Sequence, residues 1–162
     1  MMKKSKLNAT QNGVSAGSKE RLVALLNQAL ADLGDLYSQT KQAHWNVRGK
    51  KFYQLHLLFD SVADAAEEHW DNVAERAVQL GGYARGTSRM TAATTQLPEW
   101  PENLEEEKEF VEAVAERFGL VANTIRAAID TAGKLGDLDT ADLFTEISRD
   151  LDKSLWMLEA SK

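Results

Sequence analysis

Residues 52–80 read FYQLHLLFDSVADAAEEHWDNVAERAVQL. Phe52, Leu55, Phe59, Val62, Ala66, Val73, Ala77 and Leu80 recur at i, i+3, i+4 spacing, which predicts one amphipathic helix with a core-facing stripe. A second stripe holds His56, Asp60, Asp71 and Glu75 within an arc of roughly 100°, centred roughly 140° around the helix from the first. Metal-ligating side chains therefore point away from the helix's own core. They form two i,i+4 pairs, His56/Asp60 and Asp71/Glu75, each stacked one residue above the other. Asp60 and Asp71 lie about 16 Å apart along the axis, too far to share one ion. A second copy of the helix, antiparallel about Ala65 and Ala66, would set each His56/Asp60 pair against the partner's Asp71/Glu75. The spacing thus points to a metal site built between two subunits. The plainer reading is a solvated acidic face, which the histidine and the mirrored spacing argue against. Asp64 and Glu67 lie on the stripe between the pairs and are read as solvated near the two-fold axis rather than as a second metal site.

The flanking sequence places this helix in a bundle. Upstream, Leu22, Leu25, Leu26, Ala29, Leu33, Leu36 and Tyr37 form the core face of a helix expected from an N-cap at Ser18 to about Trp45, broken by residues 46–49. Downstream, Gly81-Gly82 stops the second helix. The connection from Tyr83 to Pro101 holds both prolines and is too long to lack structure, so a short helix is expected near Arg89–Thr94. A third helix is expected from Asn103 to before Gly136, on Val111, Val114, Phe118, Val121, Ile125 and Ile129. A fourth, capped by Asp139, carries Leu143, Ile147, Leu151, Leu155 and Leu158. Four long helices with a crossover between the second and third predict an all-α, ferritin-like four-helix bundle over residues 18–162.

Composition narrows the chemistry. The 162 residues include no cysteine, which excludes disulfides, thiolate metal sites and cysteine catalysis. No apolar run approaches the roughly 20 residues of a membrane span, and no secretory leader is evident. The net charge of −6 is uneven. Residues 1–20 hold Lys3, Lys4, Lys6 and Lys19 against Glu20, a local +3, leaving −9 for the rest. Residues 1–17 are polar and read as a mobile basic tail, with a root-mean-square reach of about 20 Å if flexible throughout.

The Glu-x-x-His pattern of an intra-bundle di-iron site is missing, since Lys41, Tyr53 and Ala66 stand three residues before His44, His56 and His69. His69 lies off the ligand stripe and is left out of the site. His44, beside Trp45 at the end of the first helix, is either a helix C-terminal contact or a further ligand. Asp137, Asp142 and Glu146 at the start of the last helix either serve the helix dipole or line a negative channel at a rotational axis. Imidazole with carboxylate suits Fe(II), Mn(II) or Zn(II).

These residues also carry a family resemblance. Lys41-Gln-Ala-His-Trp-Asn-Val-Arg-Gly49, then His56-x-x-x-Asp60 and Asp71-x-x-x-Glu75-Arg-Ala-Val-Gln-Leu-Gly-Gly82, resembles the Dps family, DNA-binding proteins from starved cells. The likeness resumes at Arg149-Asp-Leu-Asp-Lys153 and Trp156. It implies a hollow cytoplasmic dodecamer, associated with the nucleoid in members that bind DNA. It also implies a ferroxidase that oxidises Fe(II), preferably with hydrogen peroxide, and stores Fe(III) mineral. By residue, it implies His44, His56 and Asp60 as ligands from one subunit, Asp71 and Glu75 from its two-fold partner, and Trp45 as the tryptophan beside the site. Asp142 matches an acidic pore position, with Asp137 and Glu146 weaker matches. Some members bind double-stranded DNA without sequence preference through a lysine-rich tail, here Lys3, Lys4 and Lys6. A nucleoid-condensing role through that tail is the alternative to iron handling.

Overall fold

The computed structural model describes residues 7–162 and contains five helices in chain order: α1 (Ala16–Asn46), α2 (Phe52–Gln79), α3 (Ser88–Thr94), α4 (Glu107–Lys134) and α5 (Leu138–Glu159). The four long helices pack as two hairpins, α1 with α2 and α4 with α5, joined by the crossover that carries α3. The core is the expected one. Leu22, Leu26 and Leu33 of α1, Phe59, Val62 and Val73 of α2, Phe118 and Ile125 of α4, and Phe144, Ile147 and Leu151 of α5 are all fully buried. Phe52 departs from its expected core place: it is 41% exposed and tilts against the His56 ring, with centroids 5.0 Å apart. It stands at the first residue of α2, beyond the reach of the neighbouring helices.

Three helix starts differ from the sequence expectation, each because a nearby side chain reaches the free N–H groups first. Ser15, not Ser18, caps α1, and its hydroxyl accepts from the Ser18 N–H. Helix α4 begins at Glu107 rather than Asn103, where Glu109 accepts from the Glu105 and Glu106 N–H groups. Asp137, not Asp139, caps α5. Gly136, at φ 80°, reverses the chain directly after α4 and delivers Asp137 to the Thr140 N–H.

Two connecting segments are tied to the bundle. In the crossover, Asp32 accepts from the Gln96 N–H and Asp35 from the Thr95 hydroxyl, while Gln39 and Arg117 donate to the Pro98 and Glu99 carbonyls. Burial outweighs these donors at Asp32 and pushes its carboxyl up from the usual range. Residues 7–15, expected within a mobile tail, instead run along the bundle. The Asn8 N–H donates to the Gly81 carbonyl, the buried Lys19 ammonium donates to the Asn12 carbonyl at 2.6 Å, and Leu7 and Val14 pack on the core. Gly81 is required at this contact: its φ is 87°, and a Cβ would fall 2.5 Å from the Asn8 carbonyl oxygen. Lys3, Lys4 and Lys6 lie outside the described residues. No helix is long and apolar enough to cross a membrane among the residues described.

Candidate metal centre

Where α1 ends and α2 begins, the chain brings His44 and His56 face to face. Their rings stack with centroids 3.7 Å apart and planes 18° apart. Each ring bonds the other residue's backbone: His44 Nδ1 to the His56 carbonyl at 2.7 Å, and His56 Nδ1 to the His44 carbonyl at 2.8 Å. A carbonyl oxygen only accepts, so both Nδ1 atoms carry the hydrogen. In the neutral rings each Nε2 therefore presents a lone pair, the form that binds metal, with the tautomer fixed by the second bond.

Asp60, one turn after His56, supplies the carboxylate. Its Oδ1 lies 3.7 Å from His44 Nε2, too long for a hydrogen bond. It is close to the separation of two donors sharing an ion at roughly 2.0–2.2 Å each. Lys41, one turn before His44 on α1, donates to the same carboxylate oxygen. That bond holds the Asp60 carboxyl below its ordinary range and raises the Lys41 ammonium above its own. In the sequence Lys41 stands where a Glu-x-x-His glutamate would be and opens the family motif, with no role of its own. Its partnership depends on the α1–α2 crossing, which no spacing within either helix reveals. Trp45 stands beside this cluster, 66% exposed.

Asp71 and Glu75 lie towards the other end of α2, exposed and away from the histidines. Asp64 and Glu67 between them are also exposed. Among the described residues no group of three or more histidine, aspartate and glutamate side chains is placed to hold a metal ion. One chain thus carries two part-buried imidazoles with Asp60 near the start of α2, and the exposed Asp71 and Glu75 on its later turns.

The acidic cluster of α5 divides. Asp142 and Glu146 are exposed on successive turns. Asp137 is 3% exposed and engaged: Arg76 Nη2 donates to both its oxygens at 2.9 and 3.0 Å, and Arg76 Nε donates to the Thr140 hydroxyl at 2.9 Å. Burial works to raise the Asp137 carboxyl, but the Thr140 hydroxyl, Arg76 and the Thr140 N–H outweigh it and hold it below its ordinary range. Asp137 is an N-cap and ion-pair partner in this chain, with no free carboxylate to present to a channel. His69, left off the ligand stripe, is buried against α5, where its Nε2 donates to Asp150 at 3.0 Å.

The architecture defines a class before a family. A family model described as ferritin-like domain matches residues 23–161. The DNA protection during starvation protein of Agrobacterium fabrum is 44% identical over 155 residues, covering 96% of each chain. A protein of the same description from Brevibacillus brevis is 34% identical over 144 residues, covering 88% of this chain and 96% of its own. Among solved structures, DpsC from Streptomyces coelicolor superposes with a TM-score of 0.92 at 30% identity, covering 99% of this chain and 94% of that one. The chain belongs to the Dps family of ferritin-like proteins.

Proposed function

We propose that this protein is a ferroxidase and iron-storage cage: a hollow dodecamer that oxidises Fe(II) at sites shared by two-fold-related subunits and keeps the ferric product inside. The observation that carries the proposal is the reciprocal His44/His56 lock, which leaves both Nε2 lone pairs free, that of His44 3.7 Å from Asp60 Oδ1. Three neutral-or-anionic donors on one side of an ion leave positions for Asp71 and Glu75 of a two-fold partner and for an oxidant. Imidazole and carboxylate together suit Fe(II), which enters as substrate.

The reaction takes two Fe(II) and one hydrogen peroxide. Each iron gives one electron, the O–O bond breaks, and with two waters the products are two FeO(OH) and four protons. Passing both electrons to one peroxide avoids the hydroxyl radical that a single-electron transfer releases, which is how such a cage would protect DNA. His44, His56 and Asp60 hold the metal, and the partner's carboxylates complete its charge. Asp142 and Glu146, exposed on the first turns of α5, would draw cations towards an opening by focusing the field.

The test is complementation. Subunits with His56→Ala/Asp60→Ala and subunits with Asp71→Ala/Glu75→Ala are each inactive as pure cages. In refolded mixed cages, a two-fold pair of unlike subunits has one doubly damaged site and one intact site. Recovery of Fe(II) oxidation is expected. Mixed cages of proven composition that stay as inactive as both parents would defeat the shared-site reading.

The second reading is a nucleoid-condensing role through Lys3, Lys4 and Lys6, favoured by the description of the Agrobacterium fabrum relative as a DNA protection protein. Each phosphate contact would steepen salt dependence, and several tails would add avidity. Because residues 7–15 run against the bundle, the seventeen-residue reach does not apply. The lysines would have to meet phosphate close to the −9 body, so binding is expected only at low salt. A cage lacking residues 1–6 that binds duplex DNA as tightly as the full chain would rule this reading out.

A further inference from the structure

Helix α2 is joined to α5 by two polar pins that bracket the carboxylate half-site. At one end His69 Nε2 donates to Asp150 at 3.0 Å. At the other, Arg76 donates to both oxygens of Asp137 and to the Thr140 hydroxyl. His69 and Arg76 are one heptad apart and so share a helix face to within roughly 20°. Asp71 and Glu75 lie between them in sequence and roughly 100–160° away around the axis. The pins face backward onto α5 while the two carboxylates face outward.

The end of α2 is closed at Gln79, where the Gly82 N–H donates to the Ala77 carbonyl and Leu80 is buried, so what remains to be set is the rotation that aims Asp71 and Glu75. Among the described residues, neither Asp71 nor Glu75 takes part in a hydrogen bond or ion pair that would fix it. A metal site tolerates errors of about 0.5 Å and 10–20° in its ligands, and a rotation of the last two turns would exceed that. The pins are also costly to keep. Asp137 is a buried charge, and His69 Nδ1 is a buried nitrogen without a hydrogen-bond partner among the described residues. An apolar heptad pair would join two helices without those costs, but would leave helix rotation less sharply defined.

We infer that His69–Asp150 and Arg76–Asp137–Thr140 are positioning residues for the shared metal site, fixing the rotation of α2 so that Asp71 and Glu75 meet the partner's histidines. This rests on the shared-site reading above. The same Arg76 contacts tie the first turn of α5, which carries Asp139 and leads into the turn of Asp142, to the carboxylate end of α2.

Co(II) is the probe, because its visible bands report ligand number and geometry without turnover. Assembled cages of the full chain would be titrated anaerobically. Arg76→Lys keeps the charge but loses the forked contact to Asp137 and Thr140. It is expected to weaken Co(II) roughly 10-fold, as loss of a ligand-orienting contact commonly does, and to shift the bands. Asp150→Asn, at a half-exposed position, is expected to do the same more weakly. Arg117→Lys is the control: it disturbs a buried arginine that ties α4 to the crossover, far from either pin, and should lower the melting temperature while leaving Co(II) affinity and bands unchanged. If Arg76→Lys and Asp150→Asn lower the melting temperature but bind Co(II) like the native cage, the pins are structural only and the inference fails. If the native cage itself shows no Co(II) bands that disappear in Asp60→Ala, the shared-site reading fails first and takes this inference with it.

Discussion

The two ends of α2 hold their candidate ligands by opposite means. At the N-terminal end, His44 and His56 are fixed by each other: two rings stack, and each Nδ1 spends its hydrogen on the other residue's carbonyl. Removing either ring removes a candidate ligand and the other ring's orientation together. At the C-terminal end, no hydrogen bond or ion pair among the described residues orients Asp71 or Glu75, and the helix beneath them is held from behind by His69 and Arg76. Mutations should therefore act differently at the two ends. The imidazole half fails by loss of a ligand or its lock, and the carboxylate half fails by movement of its helix.

The largest effect expected is at the lock. His44→Ala should cost more in metal affinity than Glu75→Ala, because it deletes one ligand and frees the His56 ring, whereas Glu75→Ala deletes a ligand alone. Anaerobic Fe(II) titration of the two cages measures this. Equal losses would mean that the stacked pair contributes no pre-orientation, and the contrast between the two ends would collapse.

Next comes Asp137→Asn, which leaves Arg76 without its buried counter-charge and should cost about 3–5 kcal/mol of stability at neutral pH. The sign of the pH dependence follows from the lowered carboxyl. Asp137 is depressed in the folded chain, so its contribution is present above its unfolded value of about 3.9. That contribution fades as pH falls through the lower folded value. The stability gap between the native protein and Asp137→Asn should therefore narrow below about pH 4. Denaturant melts across pH would show it. A gap that stays constant down to acid would mean that the pair contributes through packing and not through charge.

The smallest effect is at Lys41. Its ammonium competes with an incoming cation for Asp60. Lys41→Gln should strengthen Co(II) or Fe(II) binding a few-fold at low ionic strength, and less at high salt, where the exposed pair is already screened. Weaker binding in Lys41→Gln would recast Lys41 as a support that holds Asp60 in place, giving the imidazole half a pin of its own.

Much of this was legible in the chain. The apolar periods of the four long helices, the short helix of the crossover and the outward-facing ligand stripe of α2 follow from 3.6-residue spacing, which acts within a few residues and is written directly in sequence. The proposed pairing of His56/Asp60 against a partner's Asp71/Glu75 rests on the same arithmetic, and no contact within this chain bears on it. The helix starts were placed three or four residues off at α1 and α4, and at the wrong aspartate in α5. A cap is decided by which side chain reaches the free N–H groups, and Ser15 and Ser18, or Asp137 and Asp139, are equivalent in composition.

What only the tertiary structure decided are the contacts made across helices. The stacking of His44 on His56, Lys41 on Asp60, Arg76 on Asp137 and His69 on Asp150 each join residues 12 to 81 positions apart. No period within one helix says which residue of another will face it, because that depends on crossing geometry and on how the core packs. The docking of residues 7–15 has the same origin: their polar composition read as tail, yet Gly81 opens room for Asn8, and Leu7 and Val14 pack against the core. Sequence periodicity determined which faces exist; packing determined what each face meets.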